Sequence, residues 1–167
     1  MNQQFEDILF NTNDIESLAK ELSRPFTQLS IIYLNTPTLI EKTRWLSSVT
    51  LWENNKVGLK ISTIMHDVDY RLEVGSLYFE RVLVKDQRDE FYKLPDSFST
   101  GAIIQKLIVT ESGKRIESGI RITTSDEAQI LLVPNAMPLS ISMRCTELNL
   151  SHFEPEYSID EYSVEVF

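Results

Sequence analysis

One stretch of this chain combines residue types that bind metal ions, His66-Asp67-Val68-Asp69. An imidazole nitrogen and two carboxylates could hold a divalent cation that activates water for hydrolysis. On a strand, however, side chains alternate between the two faces, so His66 would point away from Asp67 and Asp69. The second histidine of the chain, His152, lies far away in sequence. We therefore expect a solvated turn between two strands here, and a metal-dependent hydrolase ranks third among the functions considered.

The residues for covalent catalysis are also incomplete. Cys145 has the base Arg144 beside it, which could lower the pKa of the thiol, but no histidine adjoins it to act as a general base. A lone cysteine cannot form an internal disulfide and is most often a small buried apolar residue. No glycine-rich loop followed by Lys-Ser/Thr is present to cradle phosphates. The sequence therefore predicts no enzyme and no cofactor.

The most informative feature is a strongly acidic C-terminus. The whole chain has 25 acids and 16 bases, a net charge of −9. Its last 23 residues contain no lysine or arginine, so the remaining 19 acids and 16 bases leave a net charge of only −3 before Cys145. The six acids of this end are Glu147, Glu154, Glu156, Asp160, Glu161 and Glu165. Most of the net charge is therefore confined to the C-terminus.

A negative field of this kind, interspersed with aromatic residues, suits a cationic protein partner. The pI near 4.7 and the scattered basic residues oppose nucleic-acid binding, and the same field repels anionic lipid. We therefore predict no nucleic acid, no membrane and no metal among the ligands. The predicted partner contacts are Glu154, Glu156, Tyr157, Asp160 and Glu161.

The acidic end divides into two parts. Residues 161–167 alternate charged or small residues with apolar ones, which predicts a terminal strand whose outward carboxylates protect an exposed edge. Residues 153–160 are interrupted by Pro155, which cannot donate a ladder hydrogen bond, and are expected to be freer. Residues 153–160 are therefore the better candidate for partner binding.

The first predicted element is an N-terminal helix. Asn13 could cap it, with Glu16 three residues later as the capping-box partner, and Pro25 ends the apolar periodicity. Residues 37–47 fit either a helix or a strand.

From residue 27 onward, strand patterns dominate. Residues 49–53 and 57–64 predict a hairpin, and residues 70–84 a long strand with a bulge at Gly75. Residues 85–101 predict a loop with a short helical piece, and residues 102–143 an antiparallel meander. The fold class is therefore α+β, mainly antiparallel β (a sandwich or a half-open barrel) with an N-terminal helix, in a single domain over 1–167.

Two segments of the meander carry a resemblance to a known group of proteins. These are Glu117-Ser118-Gly119-Ile120-Arg121-Ile122 and, after a polar turn, Gln129-Ile130-Leu131-Leu132-Val133-Pro134-Asn135-Ala136-Met137-Pro138. About a quarter of the chain thus resembles small uncharacterised bacterial proteins of the toxin-immunity type, in which a glycine opens a hairpin strand and a Pro-x-x-x-Pro element follows. The turn at 125–128 departs from the pattern because it lacks an Asp-Gly pair. The resemblance implies a small acidic protein that binds a toxin, and it assigns no functional residues.

Two functions follow from these observations. The favoured one is a non-catalytic protein that binds a basic partner, such as a toxin domain, and the alternative is an assembly domain that forms a homo-oligomer. Trp45 and Trp52 are read as core residues, with interface anchors as the second interpretation. The N-terminus lacks the pattern of a signal peptide, and no apolar run approaches the roughly 18 residues of a membrane helix, so we expect a cytoplasmic location.

Overall fold

A curled sheet of eleven strands makes up most of the structure, a computed structural model that describes residues 6–13, 15, 17–34, 45–54, 56–148 and 153–167. The strands are β1 (Asn11–Asn13), β2 (Gln28–Tyr33), β3 (Leu46–Glu53), β4 (Val57–Asp69), β5 (Leu72–Val82), β6 (Glu90–Lys93), β7 (Ala102–Glu111), β8 (Lys114–Thr124), β9 (Gln129–Pro134), β10 (Ile141–Cys145) and β11 (Ser163–Val166). The α-helix α1 spans Leu18–Leu22, and two 3₁₀ helices span Asp96–Ser99 and Ile159–Glu161. The prediction of a mainly β fold is confirmed.

The strands form one mixed sheet that curls into a half-barrel. The hydrogen-bonded order is β1-β5-β4-β3-β10-β9-β8-β7-β11, while β2 pairs with β3 and also carries β6. The ladders are antiparallel except that of β1, which runs parallel to β5. A single residue pair, Leu46 with Ile141, joins β3 to β10. The main core contains buried residues from the strands on both sides of this junction.

The predicted N-terminal helix is present, but it is short and a minor part of the fold. α1 is five residues long and begins after Ser17, whose side chain accepts a hydrogen bond from the Lys20 amide at 3.4 Å. Asn13, the predicted cap, is instead the last residue of β1, and Glu16 lies outside the described residues. Ser17 can cap because its oxygen satisfies an N–H that the first helical turn leaves unpaired. No helix in the described ranges is long and apolar enough to cross a membrane.

The hairpins follow the local turn signals. β3 pairs with β4, β7 pairs with β8 around residues 112–113, and β8 pairs with β9 around residues 125–128, as predicted. Residues 85–101 contain the predicted short helical piece, the 3₁₀ helix Asp96–Ser99, but they also include β6, which pairs with β2. Most of the ambiguous segment 37–47 lies outside the described residues, and β3 begins within its last part.

Strand β5 crosses the other half of the sheet at close range. Ser76 Oγ donates to the Glu117 carbonyl at 2.6 Å, and Ser118 Oγ donates to the Gly75 carbonyl at 2.9 Å. A register shift between β7 and β8 leaves Ser118 as an extra residue there. Gly75 is therefore a site of close approach and not the predicted bulge, since its ladder with β4 is regular. We call Gly75, Ser76, Glu117 and Ser118 the crossing point.

A second, smaller core lies beside the crossing point. It joins Val68 and Val74 of the β4–β5 hairpin to buried residues of β7, β8 and β9. Tyr162, only 6% exposed, closes it from the C-terminal side, with Phe153 and Tyr157 packed against it. This core fixes the position of the acidic C-terminus.

Candidate functional site

The candidate site is the acidic segment, residues 153–167, whose five carboxylates are accompanied by no lysine or arginine. Its first part is bound to the end of β9. The Ala136 amide donates to the Glu154 carbonyl at 2.8 Å, and the Glu156 amide donates to the Pro134 carbonyl at 2.9 Å. Pro155 lies between these two bonds and forms an isolated antiparallel β-bridge with Asn135. Proline has no N–H, and none is needed at this position because the two bonds are made by its neighbours. The expectation that residues 153–160 are freer is therefore wrong for residues 153–157, which are all half-buried.

Glu156 points inward and binds backbone. Both of its carboxylate oxygens accept from the Gly75 amide at 3.1 Å, which ties the acidic segment to the crossing point. Burial raises the pKa of this carboxyl, and the nearby Glu111 carboxylate raises it further, against the opposing effect of the Gly75 amide. A half-buried carboxylate that already holds a backbone amide is poorly placed for a partner. Its position makes Glu156 an anchor for the segment.

Tyr157, like Glu154 and Glu156, is a half-buried member of the predicted set. Burial raises its pKa, and its hydrogen bond to the Glu111 carboxylate acts in the same direction. The Tyr157 ring stands edge-on to the ring of Tyr162, with centroids 6.1 Å apart. The ring thus connects the second core to the surface.

Asp160 and Glu161 are the exposed members of the set. They lie in the second 3₁₀ helix, where the Ser158 amide donates to a Glu161 carboxylate oxygen at 2.8 Å. That capping box fixes Glu161, whereas Asp160 has no ion pair among the described residues. The adjoining Ile159 is 37% exposed. The 3₁₀ helix therefore presents two carboxylates and one apolar side chain to solvent.

A surface pocket of about 320 Å³ opens where β7 extends past the start of β11. Its walls include Tyr157 and the carboxylates Glu111 and Glu161. Glu111 was not singled out in the sequence, because it precedes the β7–β8 turn and is 46 positions away from Tyr157. The pocket is lined by Ile108, Val109, Thr110, Glu111, Tyr157, Glu161 and Ser163.

The predicted terminal strand is confirmed as β11, which pairs antiparallel with β7. Val164 and Val166 are 45% and 64% exposed, and Glu165 forms an ion pair with Arg115 on the surface. Phe167 packs against the main core and stacks on Phe10 at 6.3 Å between centroids. The strand is thus held at both ends, by Tyr162 before it and Phe167 after it.

The other candidate chemistry of the sequence is dispersed. His66, Asp67 and Asp69 lie on β4 itself, so the expected turn is displaced to residues 70–71. His66 is half-buried, which lowers its pKa, whereas Asp67 and Asp69 are exposed. Among the described residues no three His, Cys, Asp or Glu side chains group as metal ligands would. These three residues are therefore not brought together.

The single cysteine and one of the tryptophans are core residues. Cys145 is 5% exposed, and burial raises its pKa to about 12, so its thiol is protonated at neutral pH. Trp52 is 1% exposed, as predicted, and its ring N–H donates to Ser30 Oγ at 2.8 Å, which in turn donates to Asp89 at 3.0 Å. Trp45 is half-buried. No sequence signal pairs Ser30 with Asp89, because they are 59 residues apart.

Comparisons with protein-family models, with curated proteins and with solved structures find no match for this chain.

Proposed function

We propose that this chain is a non-catalytic binding domain whose acidic segment neutralises and covers a basic surface of another protein, such as a toxin domain. The observation that carries the proposal is the exposure of Asp160 and Glu161 on a rigidly held 3₁₀ helix. Anchoring by Glu156 and Tyr162 reduces the conformational entropy that such a surface would lose on binding. The acidic segment is therefore preorganised for a cationic partner.

The distribution of charge supports a protein partner of opposite sign. Arg115 pairs with Glu165, whereas Asp160 and Glu161 form no ion pair with a cation of the described residues. Opposed fields raise association rates towards about 10⁸ M⁻¹ s⁻¹ at low salt, and salt weakens this effect over a Debye length of about 8 Å. Exposed Ile159 beside the carboxylates supplies apolar contact area at the same place. The proposed mechanism is occlusion, in which these groups cover a lysine- or arginine-rich active site.

The proposal is tested by capture from an extract of the source cells on the immobilised full chain, followed by titration of the purified captured protein. The variant Asp160→Lys/Glu161→Lys is expected to weaken binding at least tenfold, since like charges at an interface cost several kcal/mol. Glu90→Lys/Asp96→Lys is the matched control, because these exposed acids lie on and after β6 and change the net charge equally. Equal affinity of both variants, or capture of no protein, would refute the proposal.

The assembly domain remains the alternative, and the exposed edge of β11 is the observation that favours it. Its test is the solution mass over a range of concentrations. A dimer that is independent of concentration and is broken by changes in β11 would support the alternative. A monomer would support the partner-binding function.

A further inference from the structure

The outer edge of β11 carries backbone groups that no strand in the described part of the chain uses. The Phe167 amide donates to the Ile104 carbonyl, which sets the antiparallel register of β11 against β7. In such a ladder alternate residues direct their N–H and C=O groups to the same neighbour. Ser163, Glu165 and Phe167 therefore face β7, and the backbone groups of Val164 and Val166 face outward. β11 is the last strand on its path through the sheet.

The two faces of β11 differ in chemistry. Val164 and Val166 share one face and are both largely exposed, while Glu165 lies on the other face. Asp160 and Glu161 extend the negative charge just before the strand begins. A strand laid beside β11 would place its residues opposite these in the same alternation, because paired side chains point to the same face. The complementary sequence is thus apolar opposite each valine and basic opposite Glu165.

We propose that the edge of β11 binds an extended segment of a protein partner, with alternating apolar and basic residues, as an added antiparallel strand. The proposal rests on the proposed function and specifies how the partner is bound. Strand addition supplies affinity through main-chain hydrogen bonds and specificity through alternate side chains. Because Tyr162 and Phe167 fix both ends of β11, the edge is ordered before the partner arrives.

A second copy of this chain fits the same edge poorly. In the antiparallel register that pairs the outward groups of both valines with each other, Val164 lies opposite Val166 of the other copy. Glu165 is then directly opposite its own counterpart, and like charges in that position are destabilising. The same register would bring more carboxylates from the two acidic segments towards each other. A basic segment sets no carboxylate opposite Glu165.

The probe is a nine-residue peptide of alternating valine and lysine, titrated into the full chain at low salt by fluorescence anisotropy. A peptide of the same composition without the alternation is expected to bind at least about tenfold more weakly. N-methylation of the valine amides, which face β11 in the proposed register, is expected to abolish binding. N-methylation of the lysine amides, which face away, is the matched control and is expected to leave affinity unchanged. Equal binding of the two methylated peptides would overturn the proposal.

Amide hydrogen exchange on the unaltered chain gives a second readout. Binding is expected to slow exchange at Val164 and Val166, while Glu165, already paired with Lys106, is unchanged. Val164→Pro removes an outward donor and is expected to weaken binding, whereas Val164→Thr keeps that donor.

The two proposals can fail separately. A captured basic protein that responds to Asp160→Lys/Glu161→Lys but protects neither Val164 nor Val166 would refute strand addition alone. A captured protein indifferent to the charge reversal would refute the proposed function.

Discussion

Adding one methyl group at Gly75 tests whether β5 approaches the end of β9 as closely as the structure shows. An alanine Cβ there would lie 2.6 Å from Pro134 Cβ and 3.0 Å from a Glu156 carboxylate oxygen. Carbon atoms pack best at about 3.5–4.0 Å, so either β5 or the end of β9 would have to move by about 1 Å. Pro134 cannot yield easily, because its carbonyl accepts from the Glu156 amide and Asn135 is bonded to Ser140. The Gly75→Ala substitution is therefore an overpacking change.

The change in the free energy of unfolding caused by Gly75→Ala is the balance of two opposing effects. Overpacking in a well-packed region costs about 1–3 kcal/mol, and the rigid surroundings of Pro134 favour the upper half of that range. The opposing effect is that alanine reduces the conformational entropy of the unfolded chain. This stabilises the folded protein by about 0.4–1 kcal/mol where the backbone conformation suits alanine, as it does in the regular ladder at Gly75. We expect Gly75→Ala to lower the free energy of unfolding by about 2 kcal/mol. For a chain of this size that corresponds to a fall in Tm of about 4–8 °C.

The assay is urea unfolding followed by tryptophan fluorescence and, separately, by circular dichroism. Glu73→Ala is the control, because its exposed side chain lies two residues away on the same strand and its loss is expected to change stability by less than about 0.5 kcal/mol. The backbone amide of residue 75 is expected to exchange faster in Gly75→Ala than in the unaltered chain, because the Glu156 carboxylate that accepts its hydrogen bond is displaced. A Gly75→Ala chain as stable as the unaltered one would refute the close approach of β5 and β9.

Two further predictions concern titratable groups. Because the folded chain binds the Glu156 proton more tightly than the unfolded chain, the stability that this group contributes is complete below the ordinary pKa of 4.5 and is lost as pH rises through the raised value. Relative to Glu156→Gln, the unaltered chain is expected to gain stability as pH falls from 7 towards 4.5; urea titrations that run parallel over this range would contradict this. Buried Cys145, with its raised pKa, is expected to take up no iodoacetamide at pH 8 and one equivalent in urea, by mass spectrometry.

Local signals were sufficient to predict the hairpins. Short polar stretches separate the apolar alternations of β3 and β4, of β7 and β8, and of β8 and β9, and in each case the two strands are paired. The helix was less well predicted, because Asn13 and Ser17 are both good caps and local propensity does not decide between them. Asn13 is instead taken up by the parallel pairing of β1 with β5, a contact with residues more than 60 positions later.

The arrangement of the candidate site depends on contacts distant in sequence, and for this reason the sequence could not predict it. Glu156 meets Gly75 from 81 positions away, and Ser76 meets Glu117 from 41 positions away. Composition alone identified the acidic segment, but it gave Glu156 and Asp160 the same role. Burial separates them, since one carboxylate is half-buried against a backbone amide and the other is exposed.

This separation assigns different physical effects to two acids four residues apart. A charge that already holds a backbone amide affects the folding equilibrium, whereas an exposed charge affects long-range attraction and contributes little to stability. Neutralising Glu156 is therefore expected to change how stability depends on pH, and neutralising Asp160 to change how partner binding depends on salt. If both substitutions changed the salt dependence of binding equally, Glu156 and Asp160 would contribute in the same way to the attraction of the partner. The anchoring of Glu156 at the crossing point would then be irrelevant to binding.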